Sequence, residues 1–171
     1  GSPSDSSYRS LDGSVHVFDP GPPVLTVEFP PGTTLASGVD SIPLLAAIGH
    51  SSPPLQLTLR NSGDAVLTSF ASLLDGTHPT EFSADAPLLL SLPAGQSITL
   101  ALTFSPPGPT GSPRSATLHL GSNDPSSPFD LDLAGTALDF VTDTDGDTLN
   151  DASELLMGAL GFDWQSPQPT L

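Results

Sequence analysis

The chain contains no cysteine and no lysine. Without cysteine there is no disulfide framework, no thiolate nucleophile and no thiolate metal site. Without lysine there is no Schiff-base chemistry, no P-loop phosphate contact and no lysine–asparagine isopeptide cross-link of the kind some surface adhesins carry. Cations are scarce altogether: Arg9, Arg60 and Arg114 stand against 19 acidic residues, for a formal net charge of −16. Nucleic-acid binding needs a basic patch, and anionic membrane surfaces need one too, so both are excluded as partners. Divalent cations are what such a chain attracts. No apolar run reaches the roughly 18 residues of a membrane span, so no membrane insertion is expected. No signal-peptide pattern is visible at the Gly1-Ser2 start, which reads as a processed or appended end, and the compartment has to come from motifs.

What is present points to strands and turns. The 171 residues include 20 Pro and 16 Gly, mixed evenly with apolar runs, and are 36% hydrophobic, which suits one domain with an appendage and a core of its own. Residues 1–22 are polar and broken by Pro, with one alternation at Val15-His16-Val17-Phe18. They read as a linker, or as a strand that pairs with a neighbouring molecule. From residue 23 a period of two takes over. Leu25, Val27 and Phe29 share one face; Leu55, Leu57 and Leu59 do the same before the Asn61-Ser62-Gly63-Asp64 turn. AVLTSFASLL follows as a further strand. APLLLSL, the turn Pro93-Ala94-Gly95-Gln96 and SITLALTF predict a hairpin with Ile98, Leu100, Leu102 and Phe104 on one face. A Pro/Gly loop at 106–113 precedes strands carrying Ala116, Leu118 and Leu120, then Phe129, Leu131 and Leu133. The expectation for 23–140 is all-β: an antiparallel β-sandwich.

Three blocks, LTLRNSGDAVL, LPAGQSITLALTFSPP and RSATLHLGSNDPSSPFDLDLAGTAL, resemble the immunoglobulin-fold modules called choice-of-anchor D, related to Hydin-like domains. The resemblance implies a non-catalytic sandwich of a large secreted or surface-attached bacterial protein, used as a spacer or adhesion module.

The acids concentrate in TDTDGDTLNDASE, residues 142–154. Calcium takes roughly six to eight oxygens, and a loop of about twelve residues supplies them from its first, third, fifth, seventh, ninth and twelfth positions. Counting from Asp143, those positions are Asp145, Asp147, the Leu149 carbonyl, Asp151 and Glu154. A bound Ca²⁺ offsets the mutual repulsion of five carboxylates; the bland alternative is a solvated acidic linker. The loop resembles EF-hand-like loops, and more so those of thrombospondin type 3 repeats, with two departures: Thr148 stands where those loops have Gly, and a strand rather than a helix leads in. DASELLMGALG then predicts a short helix with the stripe Ala152, Leu155, Leu156, Ala159 and Leu160, capped by Gly161. The stripe docks residues 141–171 onto the sandwich, or serves as a partner-binding knob.

Candidates for catalysis fail on spacing. His16, His50, His78 and His119 lack zinc-site spacing, there is no G-x-S-x-G elbow, and nothing brings Glu28 or Glu81 to a second acid. The expectation is a non-enzymatic extracellular or cell-surface structural or adhesion module, stabilised by calcium and self-associating through strand pairing into a filament or array. A carbohydrate- or protein-ligand-binding accessory domain is the alternative, with few aromatics beyond Trp164 and Tyr8 to stack on a sugar.

Overall fold

In the computed structural model the described residues are 19–85, 91–108 and 113–168, together with the backbone of Tyr8–Arg9 (β1) and Val15–His16 (β2). Those two short strands pair with each other in antiparallel fashion. The other half of the expected pairing run, Val17 and Phe18, lies outside the described residues.

Two four-stranded sheets form the body. The first has the order β3 (Leu25–Glu28), β5 (Leu55–Asn61), β10 (Ser97–Phe104), β8 (Phe82–Asp85). The second has the order β4 (Ser41–Ala47), β12 (Phe129–Leu138), β11 (Arg114–Gly121), β7 (Ala71–Asp75). Their inner faces meet in one core, with Leu57, Leu59, Leu100, Leu102 and Phe104 from the first sheet against Ile42, Leu44, Leu118, Leu131 and Leu133 from the second. This is the immunoglobulin-like β-sandwich expected, and the alternating residues named from the sequence are the ones that fill it. All pairings are antiparallel except β4 with β12.

The structure corrects the sequence reading in three places. Residues 86–90 of the hairpin predicted across Pro93–Gln96 lie outside the described residues, and the described part of that limb does not pair with β10. Ser91–Leu92 (β9) pairs instead with Leu67–Thr68 (β6), while β10 pairs with β5 over Ser97–Leu102 and with β8 over Ala101–Phe104. The AVLTSFASLL run is two strands rather than one: at Ser69 the backbone turns to a φ of 60°, and the chain passes from β6 to β7 in the second sheet. Finally, β4 has no alternation in its sequence, yet Ile42, Leu44 and Ala46 point into the core. The C-terminal end of its other face is covered too, Leu45 and Ala47 meeting the C-terminal unit, so the apolar run is continuous from Leu44 to Ala47. Pro43 is tolerated because β4 is an edge strand.

Buried polar groups are paired in ways that fix the loops. Asn61, fully buried, donates from Nδ2 to the carbonyls of Ala65 (2.8 Å) and Leu92 (2.9 Å) and accepts from Gly63 N at 3.0 Å. Arg114 and Glu81, both buried, form an ion pair, and Arg114 also donates to the Gly108 carbonyl at 3.0 Å. Glu28 accepts from Gly32 N at 2.9 Å and lies 4.0 Å from Arg60. Both glutamates are therefore engaged in holding structure.

Candidate metal centre

The acidic segment leaves β12 through an Asx turn. Asp139 Oδ1 accepts from Val141 N (2.9 Å) and Thr142 N (2.6 Å), and these bonds, Thr142 first, hold its pKa below the ordinary aspartate value. The far end returns to the same place: Asp151 N donates to the Thr142 carbonyl at 2.9 Å and Ala152 N to that of Asp139 at 3.3 Å. The loop is thus pinched at its base and anchored to the sandwich. A short helix, α1 (Asp151–Leu156), follows, capped by Asn150, whose side chain accepts from Ser153 N at 2.9 Å.

Within the loop the carboxylates order the backbone around themselves. Asp143 accepts from Gly146 N (2.7 Å) and Thr148 N (3.0 Å), Asp145 from Asp147 N (3.2 Å), and Asp147 from Leu149 N (2.9 Å). Thr148 adopts a φ of 85°, the left-handed conformation its position demands and glycine ordinarily supplies. The outcome is that Asp143, Asp145 and Asp147 each present an oxygen, all within 4.8 Å of one another, an arrangement able to hold a metal ion.

Glu154 completes the picture. It lies in the first turn of α1, is 0% exposed, and neither of its carboxylate oxygens has a hydrogen-bond partner. Asp145 Oδ2 is buried and unpartnered as well. Desolvation, then the charges of Asp145, Asp147, Asp151 and Asp143, push the Glu154 pKa up; desolvation is also the leading cause of the upward shift at Asp145. An orphaned buried carboxylate is costly, and so is a carboxylate facing other carboxylates. A cation among them removes both costs at once.

Three of the five predicted acids, Asp143, Asp145 and Asp147, converge here; Glu154 is buried within reach of their charges, and the fifth, Asp151, is held by Thr144. Asp151 is 3% exposed, and its two oxygens accept from Thr144 N and Thr144 Oγ1, each at 2.7 Å. It braces the loop across its width. Leu149 is half-buried at the seventh position, between Asp147 and the helix cap. Sequence reasoning missed Thr144 as the partner of Asp151. It also missed Gln168, whose backbone N–H donates to Asp147 Oδ2 at 2.9 Å from 21 residues away. No local spacing announces either contact.

The predicted helical stripe is only half realised. Ala152 is buried and Leu155 packs beside it with Trp164 against Ala47 and Leu138 of the sandwich. Leu156 (50% exposed) and Leu160 (77%) face away, since α1 ends at Leu156 and the chain tightens into a 3₁₀ turn at Gly158–Leu160, which shifts the phase of the stripe. Gly161, at φ 94°, ends that turn.

No protein-family model matches the chain, and no curated protein does. Among solved structures it is similar to the ASH/PapD-like domain of human CEP192 (PapD-like domain 7), at 15% identity and a TM-score of 0.47, over 72% of this chain and 91% of that one. It is also similar to the secreted serine protease VesC from Vibrio cholerae, at 19% identity and a TM-score of 0.42 over 60% of this chain and 23% of that one. The Vibrio cholerae VesB protease matches at 16% identity and a TM-score of 0.34, over 56% of this chain and 30% of its own. The chain thus spans under a third of either protease, and at this level of likeness none of their chemistry transfers. No helix among the described residues is long and apolar enough to cross a membrane.

Proposed function

We propose that this chain is a non-enzymatic structural or adhesion module of an extracellular or cell-surface bacterial protein, and that a Ca²⁺ ion held by residues 143–154 fixes its C-terminal unit. The observation that carries the reading is Glu154: a fully buried carboxylate with both oxygens free, within the field of three aspartates whose oxygens lie within 4.8 Å of one another. The donors would be Asp143, Asp145 and Asp147, the Leu149 carbonyl, and Glu154 through both oxygens. That all-oxygen set suits a hard cation, and a bidentate glutamate at the twelfth position favours Ca²⁺ over Mg²⁺, which prefers a compact octahedron rich in water. The likeness of the loop to thrombospondin type 3 repeats, and of the sandwich blocks to choice-of-anchor D modules, agrees with this role. So does the net charge of −16.

Isothermal titration calorimetry with Ca²⁺, and separately with Mg²⁺, tests it. Calcium binding at or below the roughly millimolar range of extracellular modules is expected, with a rise in melting temperature by mass action. No heat of binding at several times that concentration sinks the calcium reading.

A further inference from the structure

Asp147 uses its two oxygens in opposite directions along the chain. One accepts from Leu149 N inside the loop, and the other accepts from Gln168 N at 2.9 Å, drawing the tail back over the acidic cluster. Four residues earlier, Trp164 is half-buried against Ala47, Leu138 and Ala152, the small cluster that also contains Leu45 and Leu155. Between these points Asp163 stiffens the path, its Oδ1 accepting from Gln165 N at 3.1 Å and its carbonyl from Ser166 N at 3.0 Å. The tail is therefore tied to the acidic cluster at one end and to the outer face of β4 at the other.

Neither tie is strong by itself. Trp164 is only half-buried on a cluster of few residues, and the Gln168 contact is one backbone hydrogen bond to a carboxylate crowded by like charge. Without a cation, Asp147 is repelled by Asp143, Asp145 and Glu154, and the loop that positions it is under strain at Thr148. With a cation the carboxylate is pinned, its outward oxygen is held in place for the Gln168 N–H, and α1 is fixed where Trp164 and Leu155 pack. Groups that orient a metal ligand from outside are coupled to metal affinity, commonly by about tenfold or more, and such coupling acts equally in both directions.

We propose that the loop and residues 162–168 form one ion-dependent latch: cation binding at 143–154 seats Trp164 on the sandwich and fixes the course of residues 162–168, and the seated tail in turn tightens the site. This rests on the metal reading above. It goes further in making the ion a switch for the tail rather than a stabiliser of its own loop.

Trp164 is the one tryptophan of the chain, so its fluorescence reports the tail alone. The experiment titrates the full chain with CaCl₂, following Trp164 emission and acrylamide quenching in parallel with calorimetric binding. The same calorimetry is run on Gln168→Pro, which removes the N–H donor, and on Trp164→Ala. Saturating calcium is expected to shift emission to the blue and protect Trp164 from quencher, with reversal on adding EGTA. Each variant should bind calcium about tenfold more weakly. Calcium binding by calorimetry with unchanged Trp164 emission and quenching, or with both variants at wild-type affinity, overturns the latch and leaves the metal site standing. Absence of calcium binding overturns both.

Discussion

Both oxygens of the Asp151 carboxylate are taken by a single residue, Thr144, through its backbone N–H and its hydroxyl, at 2.7 Å each. The spacing of the loop counts Asp151 as a ninth-position ligand; the structure makes it the brace that holds the first limb of the loop against α1. The two roles predict different mutational outcomes. On the proposed calcium reading, Glu154→Gln removes a charge and a bidentate ligand and should take calcium binding below detection. Asp151→Ala loosens an outer support and should weaken binding by about tenfold. Thr144→Val keeps the N–H and loses the hydroxyl, so its effect should be smaller still. Calorimetric titration of the three variants checks the order. A loss for Asp151→Ala as complete as for Glu154→Gln would return Asp151 to the ligand set.

Thr148 holds a φ of 85° with a β-branched side chain. Left-handed backbone costs such a residue about 1–2 kcal/mol, while glycine gives some of that back through the freedom of its unfolded chain. Thr148→Gly should therefore stabilise the ion-bound loop by about 1 kcal/mol, equivalent to roughly fivefold in calcium affinity. The comparison is of melting temperature and binding constant in calcium and in EGTA. An unchanged affinity would show that the loop relaxes elsewhere when the ion enters.

Gly135 lies beneath the ring of Phe104. A Cβ built on it would come 2.5 Å from both Cε2 and Cζ of that ring, and Phe104 is fully buried and stacked on Phe82 at a centroid distance of 4.9 Å. Gly135→Ala should cost about 1–3 kcal/mol by overpacking, measured by chemical denaturation. Adding Phe104→Leu should recover part of that loss. Calcium affinity should not change in Gly135→Ala, since the site is built without either residue. Equal stability of the single variant and the wild type would mean that the sheets separate to admit the methyl group.

The sandwich was legible because its signals are local. Alternation places Leu100, Leu102, Ala116, Leu118, Leu131 and Leu133 correctly, and the turn residues singled out beside them answer physical needs. Asn61 satisfies buried carbonyls at Ala65 and Leu92. Gly63 is crowded: a Cβ there would lie 2.4 Å from the Pro22 carbonyl. Asn123 and Asp124 accept from Thr68 N (2.7 Å) and Leu25 N (2.6 Å), tying loop to strand. What the sequence hides is pairing between distant segments. The β4 strand pairs in parallel with a partner some 90 residues on, and β9 pairs with β6, about 24 residues back, rather than with the strand that follows it. In the acidic loop, ligand spacing identified the cluster, whereas Thr144 and Gln168 act through geometry that spacing does not encode.

His119 sits on the outer face of β11 between acids on both neighbouring strands: its Nδ1 is 2.6 Å from Asp130 Oδ1 on β12, and its Nε2 is 3.1 Å from Asp75 Oδ1 on β7. Asp132 is turned to Thr117 on the same face, at 2.9 Å. The hydrogen bond to Asp130, then that to Asp75, raises the His119 pKa above its ordinary value, with desolvation opposing. The folded protein therefore keeps this proton to a higher pH than the unfolded chain does. The stabilisation is fully present below the unfolded histidine value of about 6.5 and is lost as pH rises through the folded value. The side chain is 27% exposed, so solvent screening keeps the effect modest and salt should reduce it further. Thermal unfolding of wild type and His119→Gln should differ most near about pH 6 and converge as pH rises through the folded value of His119. The variant should be the less stable of the two at the lower pH. A gap of the same size on either side of that value would mean that His119 contributes through packing rather than charge.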